Sequence, residues 1–279
     1  MIIGNRGMLG QAMCNEASAR AVSWGGLDLP EFDLTDEQAV CRAIEPGCEV
    51  VINCAAYTDV DGAGSNEAQA ELINATAAGM LARRVREIGA KLVHYSTDYV
   101  FDGTARTPYP TDHPRQPLGA YGRTKAKGEQ LLEQSGVDML LIRTSWLYAA
   151  WGKNFVRTIA KLASERDSIR VVNDQRGRPT SAIHLARLTF ELLGRGAGGC
   201  YHGTDGGECT WYEFASEIVT HLGLGCSVEP CLTAEFPRPE PRPAYSVLDL
   251  SRTEECIGPM PHWTENLAVV LDDLKVSIA

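Results

Sequence analysis

Short apolar or β-branched runs at residues 22–24, 49–54, 91–96 and 139–143 alternate with helix-patterned stretches at 9–19, 36–44, 67–88 and 119–134. A strand that returns parallel to its neighbour needs a helix-length crossover, so this alternation restricts the first half of the chain to βαβ units around a parallel sheet. Ligands of such sheets gather outside the carboxyl ends of the strands, which points to the residues just after each run. Beyond residue 145 the pattern changes. Phe155, Ile159 and Leu162 fall at helical spacing, as do Trp211, Ala215, Ile218 and Leu222, while PRPEPRP at 237–243 must be an extended loop.

The chain opens MIIGNRGMLGQ, with glycines at 4, 7 and 10. A strand entering such a turn and then a helix sets backbone N–H groups and the positive helix end against a pyrophosphate, and glycine permits the close approach. Asp28 follows the second run, where an acid would meet the adenosine ribose hydroxyls. The expectation is a Rossmann-type doubly wound parallel sheet with a smaller α+β substrate-binding lobe. Residues 1–145 form the dinucleotide-binding domain, with sheet-completing segments from about 168–200, and residues 146–167 and 201–279 make up most of the lobe. Only Met1, Ile2 and Ile3 precede Gly4, where about five or six strand residues are usual, so further residues ahead of Met1 are expected to complete the strand.

In AYGRTKAKGEQLL, Tyr121 and Lys125 stand at i and i+4 and share one helix face. A phenol with pKa near 10 is a poor acid–base group at neutral pH, but a neighbouring ammonium favours the phenolate. A YxxxK match alone is mostly an ordinary surface helix. Here the run from 91 ends in Ser96, Thr97, Asp98 and Tyr99, at the sheet edge that carries the glycine turn, so three sets of groups converge on one cleft.

Composition narrows the partners. Thirty-six acidic against 26 basic residues give a net charge of −10, and no run of Lys or Arg tracks a nucleic-acid backbone. No basic segment precedes a long apolar stretch at the start, and no run of about 18 apolar residues occurs, so neither a signal peptide nor a membrane span is expected and the chain reads as cytoplasmic. Nine cysteines without a CxxC pair read as reduced packing residues, Cys54 among them. No HExxH or His/Cys cluster supports a protein metal site.

These residues resemble the extended short-chain dehydrogenase/reductase family. INCAAYTDVD, HYSTDYVFDG, YGRTKAKGEQ, RTSWLY, GKNF, RVVNDQRGRPT, TWYEFA and RPAYSVLD occur in that order over nearly the full length, and are closer to members that act on nucleotide-activated 6-deoxyhexoses. The resemblance implies NAD(P)H-dependent reduction of the C4 ketone of dTDP-4-dehydro-L-rhamnose to dTDP-L-rhamnose. It implies catalytic roles for Tyr121 as general acid, Lys125 at the nicotinamide ribose and Thr97 at the reacting carbonyl. Cofactor contacts would come from Gly4, Gly7, Met8, Leu9, Gly10, Asp28, Asp33, Leu34, Ala55, Ala56 and Tyr57, and substrate contacts from Thr97, Asp98 and Trp146. The cofactor would be NADPH or NADH, with Mg²⁺ and a homodimer as open alternatives; Asp28 favours NADH, whereas Arg6 could attract a 2′-phosphate. Two rivals stand beside the reductase: an idle regulatory relative like that of methionine adenosyltransferase, and a nucleotide-sugar epimerase. Arg176 and Arg178 read as solvated loop charges, with diphosphate contact the alternative, and Asn154 as a helix cap. The family usually shows VDKAE after YTxVD, where this chain has Val60, Asp61, Gly62, Ala63 and Gly64, which thins a charged patch beside the site.

Overall fold

The computed structural model describes residues 1–278. Six strands, β1 (Ile2–Ile3), β2 (Gly26–Leu27), β3 (Val50–Asn53), β4 (Lys91–Thr97), β5 (Met139–Thr144) and β6 (Gly199–His202), form one sheet in the order β6-β5-β4-β3-β1-β2. Every pairing in it is parallel. Strand order reverses between β1 and β3, so a crevice opens at their carboxyl ends. Val51, Leu92, Val93, Leu140, Leu141 and Ile142 are wholly buried, as befits strands covered on both faces.

The helices are α1 (Met8–Ala19), α2 (Glu37–Ala43), α3 (Val60–Ala63), α4 (Glu67–Glu71), α5 (Ala78–Glu87), α6 (Ala120–Ser135), α7 (Phe155–Glu165), α8 (Ala182–Gly194), α9 (Trp211–Leu222), α10 (Ser251–Ile257) and α11 (Trp263–Ile278). On one face of the sheet α1 and α8 pack over Ile2, Val93 and Leu140. On the other, α2 and α5 cover Ile3, Val51 and Leu92. A separate core joins α7, α9 and α11 through Val156, Phe214, Ile218 and Val270. Asp205 pins this lobe to the sheet: its carboxylate lies 2.6 Å from His184 Nδ1 on α8 and accepts from Asn266 Nδ2 on α11 at 2.9 Å.

Three readings of the sequence change. The second strand is Gly26–Leu27 rather than 22–24; Val22 and Trp24 are 46% and 40% exposed. Val22 N–H instead closes the end of α1 on Ala17 O at 2.9 Å, and the Trp24 indole N–H donates to Ser18 Oγ at 2.9 Å. The stretch 67–88 is helical but not uniform, because Leu72–Ala77 winds as a π-helix between α4 and α5. Such widened turns re-aim side chains, and here Asn74 faces inward to accept Tyr57 N–H and to donate to Thr124 Oγ1. Ser168–Val172, assigned above to sheet completion, pairs with Ser227–Cys231 in the lobe, and β6 closes the sheet. The brevity of β1 is offset by bonds on both sides: Ile52 N–H donates to Met1 O and Gly4 N–H to Leu27 O, each at 2.8 Å.

Candidate active site

The opening turn is built as its glycines require. Gly4 has φ +73°, and a Cβ there would stand 2.7 Å from Ala55 N at the end of β3. A Cβ on Gly10 would overlap Gly4 O and lie 2.6 Å from Asn5 Cα, so α1 meets the turn only without a side chain there. Gly7 is the N-cap of α1, no side chain caps that end, and its first turn holds no acid, so the helix presents backbone N–H groups and its positive end to the crevice. That cradle fits a pyrophosphate. Asp28 sits just past β2, its oxygens accepting Arg6 N–H and Leu29 N–H at 2.8 Å each, while the Arg6 guanidinium turns to Glu31 at 2.8 Å.

A cleft of about 880 Å³ runs from this turn across the sheet ends to the lobe. Gly4, Gly7, Met8, Leu9, Asp28, Asp33, Leu34, Ala55, Ala56, Thr97, Asp98, Tyr121, Lys125 and Trp146 all line it. Gly10 lies buried beneath the turn, and Tyr57 stands off the cleft wall, partly buried against the cluster of Ala63, Ala70 and Ala120. Thr144, Ser145 and Lys153, which lie within the RTSWLY and GKNF motifs but were given no role from the sequence, also line the cleft.

α6 brings Tyr121 and Lys125 to the end of β4 because two of its glycines let it approach. A Cβ on Gly122 would overlap Tyr99 O, and one on Gly128 would overlap Asn74 O. Glycine inside a helix costs about 0.5–1 kcal/mol relative to alanine, and here it secures contact between the helix and its neighbours. Tyr121 meets Tyr99 edge to face, with centroids 5.7 Å apart.

The electrostatics of Tyr121 differ from the reading of the isolated pair. Burial pushes its phenol above the usual value, the charge of Asp98 adds to this, and the Thr97 hydroxyl opposes it. Lys125, buried, donates from Nζ to Tyr95 O at 2.6 Å, and burial lowers its ammonium to about 8 against the attraction of Glu129. The phenol is therefore held neutral, the form that donates a proton. Asp98 is fully buried; Oδ1 accepts from Thr97 Oγ1 at 2.9 Å and Oδ2 makes no hydrogen bond of good geometry, while burial lifts the carboxyl to about 6 against the Ser246 and Thr97 hydroxyls.

Behind Lys125, Glu129 is closed off by two arginines. It accepts from Arg143 Nε and Nη2 at 2.9 and 2.7 Å and from Arg115 Nη1 at 3.0 Å. Trp146, at φ +48°, stacks on Trp211 at 3.5 Å and 10° and walls the lobe side of the cleft. Asn154 caps α7, accepting Arg157 N–H at 3.2 Å. Arg176 bridges Glu208 and Glu213 at 3.4 and 3.8 Å, and neither it nor Arg178 is in the cleft wall. Among the described residues no group of three or more His, Cys, Asp or Glu side chains could hold a metal ion, and no helix is long and apolar enough to cross a membrane.

A doubly wound parallel sheet with a glycine cradle at its switch point, and a Thr, Tyr and Lys set in the same cleft, defines a Rossmann-type oxidoreductase architecture. The model of the RmlD substrate binding domain family matches residues 1–276, and the chain belongs to that family. A Streptomyces antibioticus protein described as a probable dTDP-4,6-dihydroxy-2-methyloxan-3-one 4-ketoreductase is 41% identical, over 98% of this chain and 95% of its own. The crystal structure of a dTDP-4-dehydrorhamnose reductase from Clostridium acetobutylicum is similar with a TM-score of 0.95 and 38% identity, over 98% of each chain. That of a dTDP-4-dehydrorhamnose reductase from Bacillus anthracis in complex with NADP is similar at a TM-score of 0.94 and 34% identity, again over 98% of each.

Proposed function

We propose that this chain is an NAD(P)H-dependent reductase that converts the C4 ketone of dTDP-4-dehydro-L-rhamnose to the alcohol of dTDP-L-rhamnose. The observation that carries the reading is the convergence of Thr97, Tyr121 and Lys125 on the cleft that begins at the glycine cradle. Bound NAD(P)H supplies the hydride for the ketone carbon. Gly7, Met8 and Leu9 hold the pyrophosphate at the α1 terminus, and Asp28 stands at the adenosine ribose. Lys125, anchored on Tyr95 O, orients the nicotinamide ribose. Tyr121, kept neutral by burial, gives its proton to the developing alkoxide while the Thr97 hydroxyl, turned from Asp98 Oδ1, donates to that oxygen. Trp146 offers an apolar face to the sugar.

Asp98 Oδ2 accepts a sugar hydroxyl once the carboxyl is ionised. KM for the sugar nucleotide should therefore rise as pH falls through about 6, and Asp98→Asn should remove that inflection. The linkage runs the other way for stability. A carboxyl raised in the fold stabilises fully below its unfolded value and loses that contribution as pH rises through about 6, so Asp98→Asn should melt above the parent at pH 8. A KM that is flat from pH 5 to 8 in the parent would remove Asp98 from sugar binding.

The test is NAD(P)H oxidation with dTDP-4-dehydrorhamnose made in situ, the product identified by mass and NMR. Stoichiometric cofactor consumption with dTDP-L-rhamnose as product is the expected result; sugar conversion without it marks an epimerase, and no turnover marks an idle relative. The Streptomyces antibioticus relative favours a second reading, a 4-ketoreductase for another dTDP-activated deoxysugar, which the same assay decides with that ketone.

A further inference from the structure

The helix that carries Tyr121 has no cap of its own. Gly119 offers no side chain at the amino end of α6, and its first turn contains no acid. Ala120 N–H instead donates to Glu240 Oε2 at 2.9 Å, from a residue 120 positions away in the proline-rich segment 237–243. We propose that Glu240 is a positioning residue, through which the lobe's strap seats the first turn of α6 and with it the Tyr121 hydroxyl.

Two glycines are explained by this carboxylate. Gly64, in helical conformation at φ −62°, and Gly119, at φ −116°, have no backbone need for glycine. A Cβ at either would overlap the Glu240 carboxylate, on Oε1 from Gly64 and on Oε2 from Gly119. Both sites leave out a side chain where the carboxylate lies. A negative group there complements the positive end of a 16-residue helix.

The strap is anchored on both sides of Glu240. Arg238 Nη1 and Arg242 Nη2 donate to the two oxygens of Asp61 on α3 at 3.2 and 2.8 Å. Arg242 also stands 5.8 Å over the Tyr99 ring, the ring that meets Tyr121 edge to face. Pro237, Pro239, Pro241 and Pro243 fix alternate φ angles and remove alternate donors, which makes the segment a stiff arm. It leads away from Ser227–Cys231, the strand that pairs inside the lobe. The placement of the lobe is thus passed to the proton donor through a rigid link.

The proposal rests on the reductase reading for Tyr121, and its test separates the two. Hydrogen exchange of the amides at 119–124 reads the cap without any substrate, and Glu240→Ala should speed their exchange at least about tenfold while the start of α1 exchanges as in the parent. In turnover, kcat should fall about tenfold with Kd for NAD(P)H held within about twofold, because only the donor's placement is loosened. Glu240→Gln, which keeps an acceptor oxygen but loses the charge, should fall between, and it serves if the alanine variant does not fold. Gly64→Glu in the Glu240→Ala background should restore slow exchange and most of kcat by supplying a carboxylate from the other side. Parent-like exchange and kcat in a folded Glu240→Ala, or no recovery in the folded double variant, overturns the proposal. If the parent reduces no ketone, the substrate reading fails and the exchange result still decides the cap.

Discussion

Tyr121→Phe is expected to lower kcat by at least about 10²-fold while fold and cofactor affinity stay in place. The substitution removes one hydroxyl and keeps the ring that packs edge to face on Tyr99. That hydroxyl is held protonated by burial and by the nearby Asp98 charge, with Thr97 beside it, so its loss leaves the developing alkoxide without a proton source. Thr97 can still hydrogen-bond the oxygen, but its proton is too weakly acidic to replace a phenol's. Steady-state rates together with a cofactor titration check this, and activity within a few-fold of the parent would assign proton donation to another group.

Gly10→Ala should be as damaging by a different route. Its Cβ would overlap Gly4 O and crowd Asn5 Cα, both backbone atoms that cannot rotate away. Either α1 shifts from the sheet or the turn opens, and overpacking of this kind costs about 1–3 kcal/mol or more. Cofactor Kd should rise at least about tenfold and the melting temperature should fall. Gly7→Ala is the control, because a Cβ there would stand 3.2 Å from Gly4 O, a contact that a small adjustment relieves. Equal losses in the two variants would mean that the cradle tolerates no methyl group anywhere, and that the Gly4–Gly10 approach is not its tightest point.

The glycine turn, the parallel sheet and the Tyr121–Lys125 face were legible because each follows from spacing along a few residues. The second strand was not. Val22 and Trp24 look more strand-like than Gly26 and Leu27, but pairing is decided by the partner, and Ile2 and Ile3 meet Gly26 and Leu27. The π-helical turn at Leu72–Ala77 leaves the apolar pattern of its helix nearly unchanged, and the partners its Asn74 reaches, Tyr57 and Thr124, lie outside the local sequence. Lys125 was read as a partner that acidifies the phenol, a view that counts charge and omits the burial that only a fold creates. Glu240 was hidden for a simpler reason: PRPEPRP reads as a loop, and the helix it reaches begins 120 residues earlier.

The path of the chain between sheet and lobe bears on how the molecule can be made. After β5 the chain enters the lobe through α7, returns for α8 and β6, leaves again for α9, comes back at α10 and ends its described course in α11. The lobe's core is thus assembled from three separate stretches, the last of them α11, whose Leu267, Val270 and Leu271 are buried. On a ribosome, the sheet-side helices can pack as they emerge, but Phe214 and Ile218 of α9 stay without their α11 partners until α11 has itself emerged. A graft of the lobe from one relative to another would need several junctions, one of them beside Asp205 and another in the strap. Single substitutions in the cleft leave those junctions untouched, and so alter its lining without rebuilding the joint between sheet and lobe.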